Sequence, residues 1–291
     1  MKDIVIGSII NYDWNKIKYW VNSLDRSGFT GDKLMICFNI DSETLLKLKR
    51  KKYHIISLQS GDVDISNFNI VVDRFLYMWK FLKNCKDQYR YVIATDVKDV
   101  IFQKNPSIYL EDVFNGKTTK LLNRTQGINI STESIKYKDE SWGANNLFTS
   151  FGPSLYNHLK ENVIFNCGVL SGKYDSIVDM FLSIYLLSNG ASGRYIDGGG
   201  GPDQAALNIL LNMKAWKDIT IVNNSESSWA AQLGTTGPQI HPEVWQKVIE
   251  LTPIMLNKKI CTNGTRKVYS IVHQYDRFPE WRSILEKYYE D

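Results

Sequence analysis

Residues Tyr91–Pro106 read YVIATDVKDVIFQKNP. An apolar run from Tyr91 to Ala94 stops at Thr95, Asp96, Lys98 and Asp99; Val100–Phe102 resume it, and Pro106 closes it. A short apolar run with β-branched residues reads as a buried strand. Two carboxylates and a lysine at its end are costly to bury without partners. In an open α/β sheet, ligands bind outside the carboxyl ends of the strands. Asp96–Asp99 therefore reads as the floor of an active site. The plain alternative is a solvated turn between two strands.

Upstream, strands and helices alternate. Asp3–Ile10 is a strand, Trp14–Ser27 a helix capped by Asp13 and ended by Gly28, and Lys33–Ile40 a second strand. Ser42–Lys52, capped by Asp41 or Ser42, is a second helix, and Tyr53–Leu58 a third strand. Ile70–Asn84 has helical spacing at Val71, Val72, Phe75, Trp79 and Leu82, with Arg74 off that stripe and within reach of the strand that follows. This order predicts right-handed crossovers and a mostly parallel sheet with helices on both faces.

Downstream the pattern loosens. Leu121-Leu122 starts a strand, Arg124–Ser141 reads as polar loop, and Trp142–Asn146 (WGANN) sets an aromatic beside amides. Phe165–Gly172 (FNCGVLSG) is a short strand into a turn, and Tyr174–Ser188 a helix. Gly198–Gly201 form no regular element and no phosphate loop, lacking Gly-Lys-Ser/Thr. Pro202 suits a first helical position, with Asp203 and Gln204 in the first turn. Asp203 is either a helix-dipole partner or a carboxylate facing substrate. Trp229–Pro238 is loop, His241–Leu251 a helix, Lys267–Val272 a strand running into His273, and Pro279–Tyr289 a last helix. No repeat or linker divides the chain.

The 291 residues carry 35 basic and 31 acidic side chains, a balance that argues against nucleic-acid binding. Cys37, Cys85, Cys167 and Cys261 stand far apart, in no metal-ligand spacing, which fits a reduced, cytoplasmic setting. No secretory leader and no span long enough for a bilayer is visible. Asp96/Asp99, Asp203 and His273 each follow an apolar run at an expected sheet edge. Two carboxylates and an imidazole can hold Mg²⁺ or Mn²⁺, and such an ion neutralises a leaving diphosphate.

TDVKDVIFQKNP, FNCGVLSG, GPDQAALN (Gly201–Asn208) and VHQYDR (Val272–Arg277) together resemble the GT-A fold glycosyltransferases, in their order and spacing along most of the chain. The second and third are similar to the Asn-x-Gly and Asp-Gln…Leu-Asn segments of glycogenin-like enzymes. The resemblance implies one GT-A, Rossmann-like domain, with residues 1–110 binding nucleotide and 111–291 binding acceptor. It implies transfer from a nucleotide-sugar, UDP-linked by preference, to a glycan hydroxyl. Ile10, Asn11 and Tyr12 would contact the base, and Arg74 the diphosphate or the aspartates. Thr95, Asp96 and Lys98 would meet the nucleotide, and Asn166 and Gly168 the donor sugar. His273 would join Asp96 and Asp99 at a divalent cation. Asp203 would be the base of an inverting reaction, with Asp197 and Glu140 behind it, whereas the glycogenin-like segments imply retention. Trp142, Asn145, Asp197, Gln204 and Trp229 would form the acceptor surface, with Gly190–Gly201 as a lid. A nucleotidyltransferase or an inactive carbohydrate-binding protein are the alternatives. Lys98 stands where the usual Asp-x-Asp motif has its second aspartate. Either a turn brings Asp99 to the ion, or Lys98 neutralises the diphosphate without one.

Overall fold

A computed structural model describes residues 1–59, 61–62, 68–116, 126–192, 200–235 and 252–290. Its strands are β1 (Lys2–Ile10), β2 (Asp32–Phe38), β3 (His54–Leu58), β4 (Tyr89–Thr95), β5 (Val100–Phe102), β6 (Ile128–Lys136), β7 (Val163–Lys173), β8 (Thr220–Asn223), β9 (Ala230–Gln232), β10 (Ile254–Leu256), β11 (Lys259–Cys261) and β12 (Ile271–His273). Its helices are α1 (Trp14–Arg26), α2 (Ser42–Arg50), α3 (Ile70–Leu82), α4 (Pro106–Asn115), α5 (Ser141–Leu159), α6 (Tyr174–Asn189), α7 (Asp203–Asn212), α8 (Lys214–Lys217) and α9 (Pro279–Tyr288).

The central sheet is mixed and mostly parallel, with seven strands in the order β3-β2-β1-β4-β7-β6-β8. Strands β1 to β4 pair in parallel, β7 runs antiparallel to both β4 and β6, and β8 returns parallel to β6. Alternate β1 residues point to opposite faces. Ile4 and Ile6 enter a core with Phe75 and Met78 of α3 and Phe181 of α6, whereas Val5 and Ile9 meet Trp20 and Val21 of α1 and Leu110 of α4. Both faces are thus covered, and each fully buried Ile or Val contributes roughly 1.5–3 kcal/mol. Asp13, Asp41 and Asn69 cap α1, α2 and α3 through their side chains, each worth about 1 kcal/mol.

Three stretches depart from the sequence expectation. The chain beyond Pro106 is helix, because Asn105 caps α4 and accepts from Ser107 N, with Pro106 preset at the first position. Within the expected loop Arg124–Ser141, residues 128–136 form β6. Its buried face includes Asn129, Ser131 and Glu133, so its polarity hid the strand. Trp142–Asn146 opens α5, capped by Glu140 and kinked at Gly152 (φ 82°) ahead of Pro153. In α3, Met78 rather than Trp79 lies in the core, and Arg74 is buried. The readings for Leu121-Leu122, His241–Leu251, Asp197 and most of the Gly190–Gly201 stretch lie outside the described residues.

A second sheet, ordered β5-β12-β9, sets β12 antiparallel to β5 and parallel to β9. It carries His273 to the end of β4. Among the described residues, no helix is long and apolar enough to cross a membrane.

A candidate metal and ligand site at the strand ends

After β4 the chain turns through Val97–Asp99 before β5. Val97 is buried against Gly7, where a side chain would leave no room for it. The Asp99 carbonyl accepts from Tyr275 N at 3.3 Å. The turn reverses the strand alternation, so Asp99 faces the same space as Asp96. Asp96, Asp99 and His273 each offer a ligand atom, all within 4.8 Å of one another, and could together hold a metal ion. His273 Nε2 lies 3.4 Å from Asp96 Oδ2 and 3.8 Å from Asp99 Oδ2.

The residues fit a hard or borderline divalent ion. His273 Nδ1 donates to Gln232 Oε1 at 2.7 Å, which leaves Nε2 on the carboxylate side, where the neutral ring offers a lone pair to a cation and the protonated ring donates to Asp96. Gln232 sits opposite His273 in the β9/β12 register. Burial pushes the His273 pKa down, but Asp99 and Asp96 outweigh it and raise it above the usual 6.5. Gly168 lies directly under the group: an added Cβ would overlap the imidazole and stand 2.9 Å from Asp96 Oδ2.

Arg74 binds the site from α3, donating to Asp96 Oδ1 and, at 3.1 Å, to Asp203 Oδ2. Burial raises the Asp96 carboxyl, but Arg74 and His273 pull it well below the usual range. Burial raises Asp99, with Asp96 and Asp276 adding to it and His273 opposing. Asp203 is pushed up to about 6 by burial, against the pull of Arg74.

Amides tie α7 to β7. Asn208 accepts from Phe165 N and donates to Phe165 O, both at 2.8 Å, as a neighbouring strand would. Gln204 Oε1 accepts from Cys167 N at 3.1 Å, and Asn166 Oδ1 from Gly168 N at 2.7 Å. Asn166 Nδ2 and Gln204 Nε2 both donate to Glu133 Oε1.

Two chambers open here. The larger, about 460 Å³, is lined by Asp96, Asp99, Asn166, Gly168, Asp203, Gln204, Trp142 and His273 among others. The smaller, about 280 Å³, reaches Ile10, Tyr12 and Lys98. Val71, Arg74, Asp96 and Asp99 form the wall they share.

Several expected site residues lie elsewhere. Thr95 is buried on the opposite face, where its Oγ1 accepts from Trp20 Nε1 at 2.8 Å. Trp229 is fully buried beside Tyr109, with ring centroids 5.0 Å apart, and offers no acceptor surface. Asn145 is exposed and bonds Thr149. Asn11 is exposed with φ 51° and accepts from Asn39 Nδ2 at 2.6 Å, off the chamber wall. Glu140 does line the larger chamber, but its two oxygens accept from Trp142 N and Gly143 N and cap α5. Sequence reading missed Glu133 and Gln232. Two isolated polar residues in unremarkable stretches carried no motif.

No protein-family model matches this chain, and no curated protein is similar to it in sequence.

Proposed function

We propose that this chain is a glycosyltransferase of GT-A, Rossmann-like architecture, acting on a nucleotide-sugar, UDP-linked by preference. The observation that carries this is the Asp96–Asp99–His273 group, its two aspartates on the wall between two chambers and His273 on the larger, with Arg74 beside it. The smaller chamber, at the end of β1, suits a nucleoside, and the larger a sugar and its acceptor. Mn²⁺ or Mg²⁺ held by Asp96, Asp99 and His273 would supply charge neutralisation for a leaving diphosphate.

Arg74 contributes a fixed cation beside the phosphates and holds Asp96 and Asp203 apart in charge. Lys98, exposed on the smaller chamber, adds a mobile cation on the nucleotide side. Gln232 keeps the His273 ring turned to the carboxylates, and Asn166 orders the Gly168 backbone beneath them. Trp142, at the mouth of the larger chamber, offers a ring face to a sugar.

The test is a panel of nucleotide sugars assayed for released nucleoside diphosphate with Mn²⁺ and in chelator. Release from at least one donor, falling by about 100-fold or more in chelator, is expected. Absence of release and of transfer from every donor would overturn the proposal. Binding of sugars without any nucleotide would favour a carbohydrate-binding protein instead.

A further inference from the structure

Glu133 has no role in the site so far. The β6/β7 register shifts twice, between Ile130 and Thr132 and again between Thr132 and Lys136. Ser134 adopts φ 59° inside that irregularity. A non-glycine residue there is held only where its surroundings over-determine it, and bulges next to active sites re-aim side chains. The side chain re-aimed here is Glu133, which lines the larger chamber at 7% exposure.

Its carboxyl is built in. Oε1 accepts from Asn166 Nδ2 at 2.8 Å and from Gln204 Nε2 at 3.1 Å. Those amides are themselves fixed, because Asn166 Oδ1 accepts from Gly168 N and Gln204 Oε1 from Cys167 N. Thr235 Oγ1 donates to the Glu133 carbonyl at 2.9 Å and pins the backbone. Among the described residues, Oε2 makes no hydrogen bond and Glu133 no ion pair. The other chamber carboxyls are engaged: Asp203 with Arg74, Glu140 with the start of α5, and Asp96 and Asp99 with His273.

We propose that Glu133, rather than Asp203, is the catalytic base, taking the acceptor's hydroxyl proton on Oε2. This role rests on the glycosyltransferase reading above. The acceptor O–H bond breaks and its proton goes to the Glu133 carboxylate. The acceptor oxygen bonds to the anomeric carbon of the nucleotide-sugar. The bond from that carbon to phosphate breaks, and its electron pair leaves with the nucleoside diphosphate. A single displacement of this kind inverts the anomeric centre. Burial holds the Glu133 pKa up to about 7, with the Asn166 and Gln204 bonds opposing and Glu140 adding. The titratable groups facing it are Glu140 before α5, Tyr137 and His273, while α7 and β7 present the Gln204 and Asn166 amides. A base poised near neutrality is the one best matched to its task.

The test is Glu133→Gln beside the wild type and Asp203→Asn, in the assay above. Wild-type kcat is expected to rise with pH through an apparent pKa near 7, and the product to have the configuration opposite to the donor's. Glu133→Gln should lose about 100-fold or more in kcat, with donor KM within about 3-fold, and lose the rising limb. Asp203→Asn should keep that limb and raise donor KM, because it frees Arg74. A raised folded-state pKa contributes stability that is lost as pH rises through it. Glu133→Gln should therefore melt above the wild type at about pH 8, the gap closing below about pH 5. An unaltered kcat and pH profile in Glu133→Gln, or a product retaining the donor's configuration, would overturn this role while leaving the parent reading intact. A wild type without turnover on any nucleotide-sugar would overturn both.

Discussion

Arg74→Met lowers unfolding free energy by about 3–5 kcal/mol near pH 8, because it strips the partner from two site carboxylates. Arg74 is 7% exposed and bonds both Asp96 and Asp203. The Asp203 side chain is itself only 9% exposed. Burial already pushes its pKa from 3.8 to about 6 with Arg74 present, so removing Arg74 leaves that push unopposed. The sign follows. A carboxyl with a raised folded-state pKa gives full stability below its unfolded value and loses it as pH rises through the folded one. The Asp203 part of the gap between wild type and variant is therefore small at about pH 4 and widest above about pH 7, while the Asp96 part, from a carboxyl that Arg74 pulls well below the usual range against its burial, is still present at about pH 4. Urea melts at the two pH values measure it, and Arg74→Met combined with Asp203→Asn should recover part of the loss. A gap below about 1 kcal/mol, or one independent of pH, would mean that Arg74 does not hold these charges.

Gly168→Ala has a large expected effect on both metal binding and activity. Its Cβ would overlap the His273 ring, standing 2.7 Å from Nε2 and 2.9 Å from Asp96 Oδ2. The backbone cannot easily withdraw, because Gly168 O accepts from Asp96 N at 2.8 Å and Gly168 N donates to Asn166 Oδ1 at 2.7 Å. The imidazole must move instead, against its bond to Gln232. One inserted carbon in such a site costs about 1–3 kcal/mol of stability. Displacing a ligand ring should weaken Mn²⁺ binding by about 10-fold or more, and turnover by about 100-fold. Metal titration and steady-state rates would register both. A variant with wild-type metal affinity would show that the ring tolerates the methyl and is not held where the contacts imply.

The first hundred residues were legible because apolar runs and helical spacing alternate there with clear caps such as Asp13 and Asp41. Beyond Pro106 the signals conflict. β6 buries Asn129, Ser131 and Glu133 among its isoleucines, and α5 carries Gly143, Gly152 and Pro153, which ordinarily mark turns. At the site, Asp96 and His273 were legible as carboxylate and imidazole at strand ends. Asp99 was named with them, but its direction stayed open in the sequence because it depends on a turn fixed by Val97 against Gly7 and by Tyr275, contacts made only in the folded chain. Thr95 could have been set aside in advance, since neighbours along a strand point to opposite faces and Asp96 faces the cleft. Trp229 looked like a sugar platform in a Gly/Thr-rich loop, but packing beside Tyr109 takes it into the core. Arg74 reached the site because the α3 face that packs on β1 and α6 carries the guanidinium among apolar side chains.

The central claim is that Asp96, Asp99 and His273 hold a divalent cation that carries a nucleoside diphosphate. Calorimetric titration of UDP and of GDP into the protein, with Mn²⁺ and in chelator, tests it most directly. At least one nucleotide should bind with Mn²⁺, weaken by about 10-fold or more in chelator, and weaken similarly with Mn²⁺ in Asp99→Asn. Equal binding in chelator and in Asp99→Asn, or no binding of either nucleotide with Mn²⁺ present, would contradict it.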